Sequence, residues 1–72
     1  MITVYTTPNC LQCAATKRAL DRAGAEYRVV DLAEHSEDLE HLKALGYATA
    51  PVVIVGADSW SGFRIDKIRQ HV

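Results

Sequence analysis

At 72 residues, with 49% hydrophobic and 24% charged residues, the chain has the make-up of one small globular domain spanning residues 1–72 rather than a disordered segment. A formal net charge of -1 gives no sign of nucleic-acid or membrane binding, and no apolar run approaches membrane-spanning length. Two cysteines are too few to staple a secreted scaffold, and a strand pattern that begins directly after Met1 leaves no room for a signal peptide. The expectation is a cytoplasmic protein, where a cysteine pair is catalytic or metal-binding rather than structural.

Ile2, Val4 and Thr6 alternate with Thr3 and Tyr5, which predicts a first strand over Ile2–Thr6, short and apolar enough to be central. Tyr5 belongs either to the core or to a rim beside the cysteines. Pro8 and Asn9 break the strand, and Asn9 or Cys10 is the expected N-cap of a helix from Leu11 to Ala23. Leu11, Ala14, Ala15, Ala19, Leu20 and Ala23 recur at roughly helical spacing, with Lys17, Arg18, Asp21 and Arg22 on the outer face and Gly24 as the stop. Lys17 and Arg18 are either a solvated face or a means of holding a nearby thiolate.

Tyr27, Val29 and Leu32 alternate with Arg28, Val30 and Asp31, so a second strand is expected over Glu26–Asp31. Strand, helix and strand in this order make a right-handed parallel crossover. Ser36-Glu37-Asp38 opens a second helix with acids in its first turn, Leu39, Leu42 and Leu45 lie at helical spacing, and Gly46 ends it. His35 and His41 read as surface residues. The β-branched run Val52–Val55 is a third strand with Pro51 at its first position, Gly56-Ala57-Asp58-Ser59 is a turn, and Trp60 starts a short fourth strand. The third and fourth strands form an antiparallel hairpin. A last helix carries Ile65, Ile68 and Val72 at core spacing, and Phe63 is expected to be mostly buried. Trp60 is either core or part of an exposed apolar rim that meets a partner. The element order β-α-β-α-β-β-α predicts an α/β fold: a four-stranded mixed sheet with helices on both faces, the second and fourth strands at its edges.

The stretch that carries chemistry is Cys10-Leu11-Gln12-Cys13, where the first strand gives way to the first helix. A Cys-x-x-Cys pair at such a junction reads as a thioredoxin-like redox site. The first N–H groups of a helix have no partner within it and favour negative charge, by about 0.3–1 kcal/mol at an exposed site. Cys10, just before the first turn, is therefore expected to be the more exposed thiol and the nucleophile. Cys13, inside that turn, is expected to be the resolving thiol. Two other readings exist. Zinc would need two further ligands from His35, His41 and His71, but the Cys13-to-His35 gap is longer than the usual finger spacing. The cysteines could also be simple buried hydrophobes, which their place after Pro8 and at a helix start argues against.

Three segments together resemble a known family. Cys10-Leu11-Gln12-Cys13, Ala50-Pro51-Val52-Val53 and Trp60-Ser61-Gly62-Phe63-Arg64, in this order and at this length, are similar to the NrdH-type redoxins of the glutaredoxin-like, thioredoxin-fold superfamily. The resemblance covers nearly every residue. It implies a dithiol–disulfide electron carrier with no bound cofactor and no metal. Thioredoxin reductase would be its electron donor and class Ib ribonucleotide reductase its acceptor. It also implies that Pro51 is cis, which would turn the Ala50 backbone toward Cys10 to pair with an incoming substrate chain. Thr7, Pro8, Leu11, Gln12, Ala50 and Pro51 would surround the cysteine pair, and Trp60, Ser61, Gly62 and Phe63 would supply further partner contacts on a monomer. Glutathione-dependent glutaredoxins usually have a Pro-Tyr pair between the cysteines and a Gly-Gly step followed by an acidic residue. Here Leu11-Gln12 and Ser61-Gly62-Phe63-Arg64 occupy those places, which argues against glutathione while leaving it the rival reading. Where this family commonly has proline after the arginine, this chain has Ile65, a tolerated first helical residue.

Overall fold

The computed structural model describes residues 1–72. Its elements are β1 (Ile2–Thr6), α1 (Leu11–Arg22), β2 (Tyr27–Asp31), α2 (Ser36–Ala44), β3 (Val52–Val55), β4 (Asp58–Ser61) and α3 (Ile65–His71). They form one sheet in the order β2-β1-β3-β4, so β2 and β4 are the edges as expected. β1 runs parallel to β2, with Thr6 opposite Asp31, and antiparallel to β3. The fold is that of the thioredoxin and glutaredoxin class.

The period-2 pattern of β1 sends its side chains to two apolar layers. Ile2 and Val4 join Val53 and Trp60 from the sheet, Leu20 from α1 and Ile68 from α3. On the opposite face Leu32, Leu42 and Val52 pack together, with Tyr5, Leu39, Tyr47 and Ile54 partly buried against them. Tyr5 thus packs, partly buried, against the core and does not line the depression beside the cysteines. α1 ends in a paired closure: Gly24 N–H donates to the Asp21 carbonyl and Ala25 N–H to that of Leu20, each at 3.0 Å. The left-handed backbone this requires (φ 71°) is cheap only for glycine. Gly46 and Tyr47 close α2 with the same pair of bonds, to Lys43 and Leu42.

Several expectations are corrected. β2 starts at Tyr27 rather than Glu26, and Val30 rather than Val29 is buried. Val29 lies opposite Val4 but on an edge strand, where no neighbour flanks its outer side. Leu45 is exposed: it is the C-cap of α2, and six residues on from Leu39 it has drifted about 120° round the helix. Pro51 is buried but precedes β3 instead of opening it. The hairpin turn is only Gly56-Ala57, because Asp58 already pairs with Val55, so β4 starts two residues earlier than Trp60. That register puts Trp60 opposite Val53, on the α1–α3 face, and leaves it 4% exposed. Trp60 is core and forms no rim. Phe63 is 41% exposed, since the chain turns at Gly62 (φ 80°) before reaching it. Ile65 and Val72, at the two ends of the short α3, are also exposed, and only Ile68 reaches the core.

At the start of β4, Asp58 holds two side chains of α3. Its Oδ2 lies 2.8 Å from Lys67 Nζ and 2.9 Å from His71 Nε2. The His71 ring stacks on Trp60 with centroids 5.7 Å apart. The hydrogen bond from Lys67, then that from His71, lowers the Asp58 pKa from 3.8 to about 2.

Two stability predictions follow from this packing. Leu42→Ala empties a fully enclosed site and is expected to cost about 2–5 kcal/mol, whereas Leu45→Ala stays within about 0.5 kcal/mol of the parent. Urea unfolding of the two variants checks the pair, and equal losses would contradict the assigned burial. Asp58 has a folded pKa below its unfolded value, so its ion pair with Lys67 and its hydrogen bond with His71 stabilise the fold above pH 3.8 and lose that effect as pH falls toward about 2. Asp58→Asn is expected to lower Tm at neutral pH and to converge with the parent across that window. Thermal unfolding at stepped pH measures it, and a gap that stays constant would show that the carboxylate charge contributes nothing.

Candidate functional site

β1 and β2 are parallel, so their C-terminal ends open at the same edge of the sheet, where α/β folds commonly place their sites. β1 ends at Thr6, whose carbonyl accepts the Leu32 N–H at 2.8 Å and ties the two strand ends together. Pro8 and Asn9 turn the chain, Asn9 with a positive φ of 58°, and deliver Cys10 as the N-cap of α1. Of the two caps expected, Cys10 is the one used. Its extended backbone holds the sulfur over the first turn, and Sγ accepts the Cys13 N–H at 3.1 Å.

Cys10 and Cys13 are joined as a disulfide, with Cα atoms 5.2 Å apart. Their environments differ as the sequence predicts: Cys10 is half-buried, while Cys13 is only 2% exposed. An open depression of about 580 Å³ lies over the pair. Thr7, Pro8, Cys10, Leu11 and Cys13 line it, together with Thr6, Asn9, Ala14, Lys17 and Asp31. Leu11 stands out from it, 87% exposed. Lys17, one turn beyond Cys13, lines the depression and Arg18 does not.

Sequence reasoning took Asp31 only as the end of a strand. The parallel register could have found it, since the residue opposite Thr6 must lie beside the site. Its carboxylate also accepts the Ala33 N–H at 2.9 Å, which shapes the turn after β2.

The second and third segments approach from the other side. The Ala50–Pro51 bond is cis. Ala50 lines a small hollow with Thr7, the residue shared with the depression over the disulfide. Gly62 N–H donates to the Pro51 carbonyl at 2.9 Å, joining the two loops. A Cβ on Gly62 would lie 3.4 Å from Gln12 Oε1, so the Gln12 side chain stands directly against this glycine. Arg64 is turned to Asp66, with Nε and Nη2 at 3.0 and 2.8 Å from the two carboxylate oxygens. Ser61 is paired with Val52 in the sheet, and Trp60 faces the core rather than the depression. Phe63 lies outside the depression, on a separate groove between α1 and α3. His35, His41 and His71 do not gather with the cysteines: no three His, Cys, Asp or Glu side chains come close enough to share a metal.

The profile of the glutaredoxin family matches residues 2–60. The chain belongs to the glutaredoxin family. It is 45% identical to the glutaredoxin-like protein NrdH of Escherichia coli K12 over 69 residues, 96% of this chain and 85% of that protein. NrdH of Lactococcus lactis subsp. cremoris is 33% identical over 64 residues, 89% of each chain. The solved structure of the Escherichia coli NrdH-redoxin superposes with a TM-score of 0.96 at 44% identity, covering 99% of this chain and 93% of that one. Within the family the chain is thus of the NrdH type. With its Cys10–Cys13 pair closed at the helix start, it is a dithiol–disulfide oxidoreductase. No helix is long and apolar enough to cross a membrane.

Proposed function

We propose that this glutaredoxin takes electrons from thioredoxin reductase and hands them to the disulfide of a class Ib ribonucleotide reductase, as a monomer in the cytoplasm. The observation that carries this is the closed Cys10–Cys13 pair, with Cys10 accessible and Cys13 buried at the start of α1. The likeness to a redoxin described as having a thioredoxin-like activity profile supports the choice of donor.

In the reduced protein, the Cys10 thiolate attacks one sulfur of the target disulfide. A mixed disulfide forms and the other target sulfur leaves as a thiolate that takes up a proton. Cys13 loses its proton and attacks Cys10 Sγ, which releases the second target thiol and closes the pair. Two electrons have passed to the target, and the donor returns them by the reverse exchange. The free N–H groups of the first turn favour the Cys10 thiolate by about 0.3–1 kcal/mol. Lys17 adds a positive charge on the wall of the same depression. The cysteine pair is the redox centre, so the cycle calls for no bound cofactor or metal. Thr7, Pro8 and Leu11 form the face an incoming chain meets, and Ala50, held before the buried Pro51, offers its backbone to it.

Glutathione is the rival donor. It needs an open glycine step and partners for its carboxylates. Gln12 stands against Gly62 here, and Arg64 is engaged by Asp66. Potential separates the two classes of carrier, since thioredoxins lie near about -270 mV and glutaredoxins at roughly -200 to -230 mV. A difference of about 30 mV is a factor of ten in a two-electron equilibrium.

The roles of the cysteines are separable. Cys13→Ser is expected to accumulate a mixed disulfide with a protein target, and Cys10→Ser to form none and to lose all disulfide reduction. Trapping on non-reducing gels decides, and complexes from Cys10→Ser alone would reverse the assignment. For the donor, fast NADPH oxidation is expected with thioredoxin reductase and a disulfide substrate, and little with glutathione plus glutathione reductase. Equal or faster turnover through glutathione would replace this reading with that of a glutathione-dependent glutaredoxin.

A further inference from the structure

Away from the disulfide, a groove of about 380 Å³ runs between the C-terminal half of α1 and α3. Its floor is Ala19 and the buried Ile68. Phe63, Ile65 and Val72 line it and keep 41%, 38% and 50% of their surface exposed. Three large apolar side chains left open along one groove of so small a molecule mark a surface that another chain covers. Arg22 and Arg69 also line the groove. Neither takes part in the ion pairs of the molecule, Arg64–Asp66 and Lys67–Asp58, or in the contact of His71 with Asp58. Asp21 accepts the Tyr27 hydroxyl at 2.8 Å and Asp66 is paired with Arg64, and neither forms a salt bridge with Arg22 or Arg69. Two free guanidinium groups thus stand beside an apolar channel on a protein whose net charge is -1. The occupant they complement is apolar and carries carboxylates, because an arginine fork pairs well with a carboxylate.

We infer that this groove docks a polypeptide segment of the redox partner, in which apolar side chains are bracketed by acidic residues. The inference rests on the redox-carrier reading and adds a second contact to it. Phe63 is one residue from Gly62, which Gln12 of the cysteine motif touches. A segment held along α1 and α3 and continued past Phe63 therefore approaches the cysteine motif from its Gln12 side. Docking there raises the local concentration of the partner's disulfide without changing the exchange chemistry at Cys10.

The test uses two synthetic peptides and the pre-reduced protein in single turnover. One peptide carries an intramolecular disulfide alone. The other carries the same disulfide followed by a flexible linker and a segment of leucines bracketed by glutamates. Each turnover opens the peptide disulfide and closes Cys10–Cys13. The extended peptide is expected to half-saturate at roughly tenfold lower concentration with the same limiting rate, given the apolar area and two ion pairs available. The paired substitutions Arg22→Glu and Arg69→Glu are expected to erase that advantage, and Arg22→Lys with Arg69→Lys to restore most of it. Both arginines are exposed, so these variants keep the fold. Amide shifts on adding the disulfide-free segment are expected at α1 and α3. Equal half-saturation of the two peptides, or an advantage that survives charge reversal, would overturn the docking proposal while leaving the redox reading intact. Failure to reduce either peptide would instead remove the redox reading on which it rests. Dimerisation in sedimentation velocity, lost on charge reversal, would assign the groove to a second copy of this chain and overturn the proposal too.

Discussion

A helix must begin with backbone N–H groups that no carbonyl within it can reach, and here a sulfur meets one of them. Cys10 stands at the N-cap of α1 and accepts the Cys13 N–H. The spacing that brings this N–H under the Cys10 sulfur also brings the Cys13 side chain within bonding range, so cap and redox pair are one piece of geometry. The rest of the fold keeps that turn in place. β1, with neighbours on both sides, feeds it from a central position. The bond from Leu32 N–H to the Thr6 carbonyl fixes where the strand stops. Leu20, buried further along α1, anchors the helix so that its first turn cannot drift. A cap made by a cysteine differs from one made by serine or aspartate, because the capping atom is itself the redox atom.

Much of this was legible in the chain because it is local. The alternation in β1, the acids opening α2 and the glycines ending α1 and α2 each act over a few residues, and the structure has them where the sequence puts them. The order of elements then fixed the sheet, since a parallel crossover and a hairpin leave few arrangements. What could not be read depended on register. Taking Gly56 to Ser59 as the turn hid the pairing of Asp58 with Val55. With that pairing known, Trp60 must face the same way as Val53, into the core. Asp31 escaped notice for the same reason, since its place beside the cysteines comes from its alignment with Thr6 across two strands. Leu45 is a different case: at a spacing of three a helical stripe drifts steadily, and by the C-cap it had left the core.

The two aromatic residues near the C-terminus show how register decides function in so short a chain. Trp60 in the sheet plane serves packing, roofed by His71 and with Lys67 Nζ 5.7 Å from its ring centre. Its buried Nε1 has no hydrogen-bond partner in the protein, a cost of about 1–3 kcal/mol that the burial of so large a ring can offset. Gly62 breaks the alternation and sends Phe63 outward instead. One glycine therefore separates a structural aromatic from an exposed one. Because Gly62 also bonds the Pro51 carbonyl and borders Gln12, the break sits where the cysteine motif and the Pro51 loop converge.

Charge is divided along the same line. Around β4 and α3 the ion pairs are internal: Asp58 holds Lys67, beside its hydrogen bond with His71, and Asp66 holds Arg64. These cations are committed to the fold and offer little to a ligand. Of the cations without such partners, Arg28 stands on β2 and Lys43 on α2, while Lys17 lies over the disulfide and Arg22 and Arg69 line the groove. With a net charge of only -1, the protein thus keeps a local positive charge at its redox pair and another at the groove. Exposed charges steer encounter more than they stabilise a fold. Under the docking proposal, the two arginines of the groove would orient an acidic segment before the slower thiol exchange begins.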